Sequence, residues 1–245
     1  MPRPLRALDR EVTILGSPVP LVVLALITIT LLYSILAAVL ARAGLIGLHD
    51  SALFVPKHVL AGEAWRLVLW VFLEIEPLSL VIGCLCIYWF GSDLARAWGG
   101  LRFGLTYATF AVAAAGATTL SSLGWVALRS ATYVGPWAVV TGLVLAFASL
   151  FPHRPVFVYF VLPLRGQSLI LATVGGTLVF ALLGGLAPYI PHFAVQALVL
   201  IWMRGLPFGE WWLRTRYAIA ERRFRRRAHK LKVVGGRDEP PRWLH

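Results

Sequence analysis

Charge is scarce in this sequence. Only 14% of its 245 residues are Asp, Glu, Lys or Arg and 59% are hydrophobic, whereas a soluble domain carries roughly a quarter charged residues. A chain this poor in charge needs lipid as its solvent. Acidic residues are scarcer still, 11 against 23 Lys and Arg. In a soluble protein that balance would point to nucleic acid, yet no aromatic-basic surface and no zinc spacing accompanies it, so the excess reads as juxtamembrane charge and no nucleic-acid partner is expected. Cysteine is nearly missing. Cys84 and Cys86 both lie in an apolar stretch, point to different sides of a helix and have no ligand-type neighbours, which argues against a disulfide or a metal site. Phosphate-binding motifs are lacking as well: GGTLVFALLGG, from Gly175 to Gly185, has neither Walker nor dinucleotide spacing, so its glycines read as packing or kink positions and no cofactor is expected.

What is present is a series of long apolar runs. A bilayer core of about 30 Å asks for about 20 apolar residues per helix. Six windows answer, approximately Val19 to Ala41, Leu78 to Trp98, Phe103 to Leu123, Gly135 to Phe151, Ser168 to Leu186 and Tyr189 to Leu206. The first is too long for a signal-peptide core and no convincing cleavage site follows it, so it reads as an uncleaved span. Arg3, Arg6 and Arg10, then Arg96 and Arg102, then Arg154 and Arg165 mark one side of the membrane. Short cytoplasmic loops collect Lys and Arg, so both termini are expected in the cytoplasm. The reading is an all-α polytopic protein in three parts: a cytoplasmic segment 1–17, a six-helix membrane domain 18–206 and a basic cytoplasmic tail 207–245.

The first external connection, Arg42 to Pro77, is long for a structureless loop and rich in Trp, Phe, Leu and Val. It reads as an interfacial or half-inserted segment, with Trp65 and Trp70 suited to the headgroup belt. In the fourth window Gly135, Ala138, Gly142, Ala146 and Ser149 form one small-residue stripe. Such stripes let helices approach closely in lipid, which places this helix at the centre of the bundle. Gly100 and Gly104 suggest a second close contact at the start of the third helix. From Arg204 onward stand twelve Lys or Arg against four Asp or Glu, a tail expected to meet anionic lipid.

Three blocks, in this order, resemble the rhomboid family of intramembrane proteases. They are Trp65-Arg66 in WRLVLWVFL, then IYWFGSDLARAWGGLRFGLTY with Gly91, then GPWAVVTGLVLAFASLFP with Gly135 and Gly142. Together with the spans between them they cover roughly residues 55–206. The resemblance implies a six-helix rhomboid-like bundle, and it implies where a serine-histidine dyad would sit. A serine hydroxyl needs an adjacent base to become a nucleophile. At those positions this chain carries Trp137 for the nucleophile and Val195 for the base, with Leu198 and Trp202 at two glycine positions. The positions that would hold the oxyanion carry Ser79 and Gly83. Sliding the register by one turn offers His192 as a base and still supplies no serine.

The expectation is therefore a rhomboid-like protein without the dyad, a pseudoprotease that binds transmembrane helices of client proteins. Trp137, Thr141, His192 and Trp202 are the groove candidates. Trp137 either fills the space a substrate would occupy or lines a groove for a client. Trp202 either wedges the sixth helix away from the fourth or fills a gap. Two alternatives stay open. One is a divergent intramembrane serine protease using Thr141, Ser130 or Thr132 with His192. The other is a structural or lipid-perturbing protein, because Gly135 to Phe151 spans only 17 residues, about 25 Å as a helix, and short spans are met by bilayer thinning. Arg-rich composition and short loops suggest a bacterial cytoplasmic membrane.

Overall fold

The computed structural model describes residues 10–14, 17–154, 156–158, 162–164 and 166–203. The basic tail and the first nine residues lie outside that set. Six long helices carry the fold: α1 (Leu21–Arg42), α5 (Pro77–Trp98), α6 (Gly100–Gly124), α7 (Trp137–Leu150), α8 (Gly166–Gly184) and α9 (Ile190–Met203). Each falls on one of the six apolar windows. Four of them, α1, α5, α6 and α8, are long and apolar enough to cross a membrane; α7 and α9 are apolar but have 14 residues each, about 21 Å at 1.5 Å per residue. Three short helices, α2 (Gly47–Ala52), α3 (Pro56–Leu60) and α4 (Arg66–Leu69), occupy the connection between α1 and α5.

Backbone chemistry sets the boundaries. Pro77 stands in the first turn of α5, where its missing N–H costs nothing. Gly99, with φ 86°, turns the chain directly from α5 into α6, a conformation a residue with a Cβ adopts poorly. Inside the helices, hydroxyls turn back on their own backbone: Thr30 donates to Leu26 O, Thr118 to Ala114 O and Thr119 to Ala115 O. That closure suits a medium with no water to offer.

α7 is the centre. Its residues Ala138, Val139, Val140, Leu143, Leu145 and Ala146 are buried, and α5, α6, α8 and α9 all pack against it. The small-residue stripe does what the sequence suggested, since a Cβ on Gly142 would collide with Val195 Cγ1 of α9 and stand 3.0 Å from the Phe110 ring of α6. At Gly91 a Cβ would stand 2.9 Å from the Phe103 ring of α6, and at Gly104 one would touch Val22 of α1 at 3.4 Å. The outer faces are apolar instead: Leu183 is 81% exposed and Leu171 75%, a surface that lipid would cover.

Three sequence expectations need correction. The described chain is not purely helical, because β1 (Glu11–Ile14) pairs antiparallel with β2 (Ser17–Pro20), and β3 (Val156–Val158) with β4 (Leu162–Leu164). Trp70 does not sit in a headgroup belt. It is 2% exposed, packs on Phe54 at 5.7 Å and donates its indole N–H to Leu67 O at 3.1 Å, while Trp65 is 52% exposed. Of the packing or kink roles expected for the glycines from Gly175 to Gly185, close packing does not hold at Gly175 and Gly176, where a Cβ would meet nothing within 4 Å; Gly185 serves the turn into α9.

Charge gathers at the two ends. Where β1 and β2 meet the end of α5, Asp93 pairs with Arg96 and Arg154, both at 2.9 Å, and Arg96 also reaches Glu11 at 3.4 Å and Pro18 O at 2.6 Å. At the other end Arg66 is buried and ties the α1–α5 connection together. Its Nε meets Glu63 Oε2 at 2.5 Å, and its other end donates to Leu53 O at 2.6 Å and to Asp50 O.

Candidate functional site

The chain reaches the candidate site through a loop shaped by two residues, Gly135 and Pro136. Gly135 has φ 87°, its N–H donates to Trp70 O at 3.1 Å, and a Cβ there would press on Glu74 Oε2. Only glycine meets both demands. Pro136 precedes the first turn of α7 and packs at the flank of α5, where a Cβ on Gly83 would stand 3.2 Å from its ring. Trp137 then begins α7.

Its indole does not float free. Nε1 donates to Glu74 Oε2 at 3.1 Å, across 63 positions of sequence. Glu74 Oε1 accepts the N–H groups of Ile75 at 3.0 Å and Glu76 at 3.3 Å, so this carboxylate both shapes the approach to α5 and holds the tryptophan. The backbone N–H of Glu74 is in turn fixed by Ser34 Oγ of α1 at 2.9 Å, and Ser34 donates to Phe72 O at 3.1 Å. Two separate helices, α1 and α7, thus converge on one acid at the approach to α5. Trp137 remains half-buried, pinned by its N–H edge while part of the ring stays open.

The other predicted positions divide. Val195, which the resemblance sets at the position of a general base, is fully buried against Gly142 of α7. His192 lies three residues earlier on α9 and its ring faces Tyr189 at 5.7 Å. Thr141 donates to Ala138 O at 2.8 Å, and Ser79 donates to Glu76 Oε2 at 2.9 Å. Among the described residues no serine or threonine hydroxyl is hydrogen-bonded to an imidazole.

Trp202 does not belong with the others. Tyr133, just before α7, donates to Ala187 O just before α9 at 2.9 Å, and Gly142 meets Val195, so α7 and α9 run parallel. Trp137 is five residues before that crossing and Trp202 seven after it, which separates them by about 18 Å along the axis. Trp202 is half-exposed and packs on Trp98 at 5.3 Å. It neither wedges α9 from α7 nor fills a gap between them.

What remains open on α7 is a strip. Within its first two turns Trp137, Thr141 and Val144 are half-buried while the positions between them are buried. The i, i+4, i+7 spacing puts them on one face, between the side that takes Gly83 and Phe90 of α5 and the side that takes Val195 of α9. α8 packs on α7, and α5 packs on α7, but among the described residues α5 and α8 barely meet. Trp137 therefore stands at the mouth of a flank that neither helix closes.

Two polar residues of the bundle are not among the sequence candidates. Glu74 has as its signal an acid at the end of an unbroken apolar run, LVLWVFLE. Gln196 was passed over, although a lone amide within an apolar span is itself a flag. It is buried on α9, where its Nε2 donates to Thr177 Oγ1 of α8 at 2.7 Å.

The bundle, its apolar outer surface and its internally satisfied hydroxyls define a helical integral membrane protein. Residues 21–214 match the family described as Eukaryotic integral membrane protein (DUF1751), and the chain belongs to that family. No curated protein matches it. The family description is eukaryotic, so the bacterial membrane expected from the Arg-rich composition has no support from it.

Proposed function

We propose that this chain is a rhomboid-like membrane protein of six spans, both termini cytoplasmic, that holds transmembrane helices of client proteins along α7 and does not cleave them. The observation that carries the reading is the strip Trp137, Thr141 and Val144 on the central helix, left half-open where α5 and α8 diverge. A helix laid there would cover apolar surface and an indole already fixed by Glu74, so little ordering cost would remain at binding. The nucleophile and base positions carry an indole and an isopropyl group, neither of which transfers a proton at neutral pH. Anionic lipid at the basic tail is a further part of the proposal.

The test is photo-crosslinking in native membranes from a reactive side chain placed at Trp137 or Thr141. The reading expects adducts with transmembrane segments of other membrane proteins, and their complete absence would overturn it. Reporter fusions at the two termini should report the same side of the membrane. A second reading, a lipid-perturbing protein, draws on the 14-residue lengths of α7 and α9, since spans shorter than the hydrocarbon core thin the bilayer around them. Lipid scrambling by the reconstituted chain, with no adducts from Trp137, would favour it.

A further inference from the structure

Two carboxylates stand where α5 and α7 begin, and among the described residues neither has a cation beside it. The other described acids are paired: Glu11 and Asp93 with Arg96, Glu63 with Arg66, and Asp50 with His49, all within 3.4 Å. Glu74 and Glu76 meet neutral donors instead. Glu74 takes the Trp137 indole and the amides of Ile75 and Glu76, while Glu76 Oε2 accepts the Ser79 hydroxyl at 2.9 Å. Glu74 is half-buried and Glu76 exposed. Charge at the border of an apolar region is screened less than charge in open water.

Both acids sit over the open flank. Ser79 precedes Gly83 by one turn on the same face of α5, and Gly83 faces Pro136 at the head of α7. Glu76 therefore lies over the α5–α7 contact, next to the Trp137 that Glu74 holds. Below them the flank is apolar. Trp137, Thr141 and Val144 are half-buried on α7, and Ile82 and Trp89 are exposed on the side of α5 away from the Gly91 that meets Phe103 of α6. At the far end Asp93 meets Arg154, just past α7, at 2.9 Å, so charge there is already matched. A surface that is apolar along its length and negative at one end complements an apolar helix that ends in a cation.

We propose that the α5–α8 flank of α7 selects transmembrane helices with a lysine or arginine just beyond the apolar stretch, at the end that meets Glu74 and Glu76. This rests on the client-helix reading and names what such a client must carry. Glu76, the more exposed of the two, makes the direct ion pair. Glu74 adds its charge while its bond to the indole keeps Trp137 in place.

The experiment reconstitutes the full chain in phosphatidylcholine vesicles and measures energy transfer to two synthetic transmembrane peptides. Both have the same polyleucine stretch, followed at one end by lysine in the first and by glutamine in the second. The lysine peptide should bind about two- to fivefold more tightly, the range of a partly exposed ion pair, and the difference should shrink as salt is raised. Glu76→Gln should reduce that preference, and Glu74→Gln combined with Glu76→Gln should abolish it. Glu11→Gln, at the opposite end of the bundle, should keep it. Equal binding of both peptides to the wild-type chain, or a preference that survives the double variant, would overturn the inference and leave the client-helix reading standing. No binding of either would overturn both. Energy transfer between two labelled copies of the chain that depends on Glu76 and excludes the lysine peptide would overturn it in favour of self-association.

Discussion

Trp137 gives its indole N–H to Glu74, and that one bond links the start of α7 to the approach into α5. Glu74→Ala would leave the indole N–H and the amides of Ile75 and Glu76 without their acceptor, so thermal unfolding in detergent should register a loss of about 1–3 kcal/mol. Glu74→Gln, which keeps an acceptor oxygen, should lose less. Equal stability of Glu74→Ala and wild type would mean the bond holds nothing. Arg66 is the second residue of this kind. Arg66→Lys keeps the charge and loses the planar fork that reaches Glu63, Asp50 O and Leu53 O together, and limited proteolysis should then cut the α1–α5 connection faster. The Arg66 guanidinium also holds the Glu63 carboxyl below its usual value of 4.5. Since that folded pKa is depressed, the pair contributes fully above the unfolded value and is lost only as pH falls through the lower folded one. Protection of the connection should still hold at pH 5 and fall in stronger acid, and a fall already complete at pH 6 would contradict this. None of these partnerships was legible in the sequence. Local pattern exposes Trp65-Arg66 as a motif, but pairing of residues 63 positions apart depends on how the helices stack.

Among the elements, α7 and α9 define the molecule's middle through Gly142 and Val195. Gly142→Ala would push a Cβ into Val195 and the Phe110 ring, an overpacking expected to cost about 1–3 kcal/mol in detergent unfolding. Val195→Ala in the same chain should recover part of that loss, a coupling that a double-mutant cycle reads directly. Additive effects would place the two helices apart. The helices were legible because 20-residue apolar windows have few other uses, and the small-residue stripe of α7 announced a central helix. β3 and β4 were not, since Val156–Val158 and Leu162–Leu164 are short apolar runs that no period distinguishes from the edges of spans. Trp70 misled for a related reason: a tryptophan near a membrane boundary suits the headgroup belt and a packed loop equally, and only the neighbouring Phe54 decides between them.

At the scale of the whole molecule, the account is of a bundle whose centre is packed tight around Gly142 and whose flank beside Trp137 is left open. The order of helices was readable from sequence, but the way the candidate site residues divide between the two ends of the bundle was not. Trp202 looked like a partner of Trp137 and lies at the opposite end, because shared membership of a motif says nothing about depth along a helix. Gln196 went unnoticed because its meaning comes from Thr177 on another helix. The most direct measurement is the recovery of client membrane proteins with Thr141→Trp, a substitution that fills the open strip while leaving Glu74, Gly142 and Val195 in place. If clients lie along α7, recovery under mild extraction falls to background while the variant elutes as a single species with wild-type thermal stability. Undiminished recovery from that well-folded variant would contradict the account.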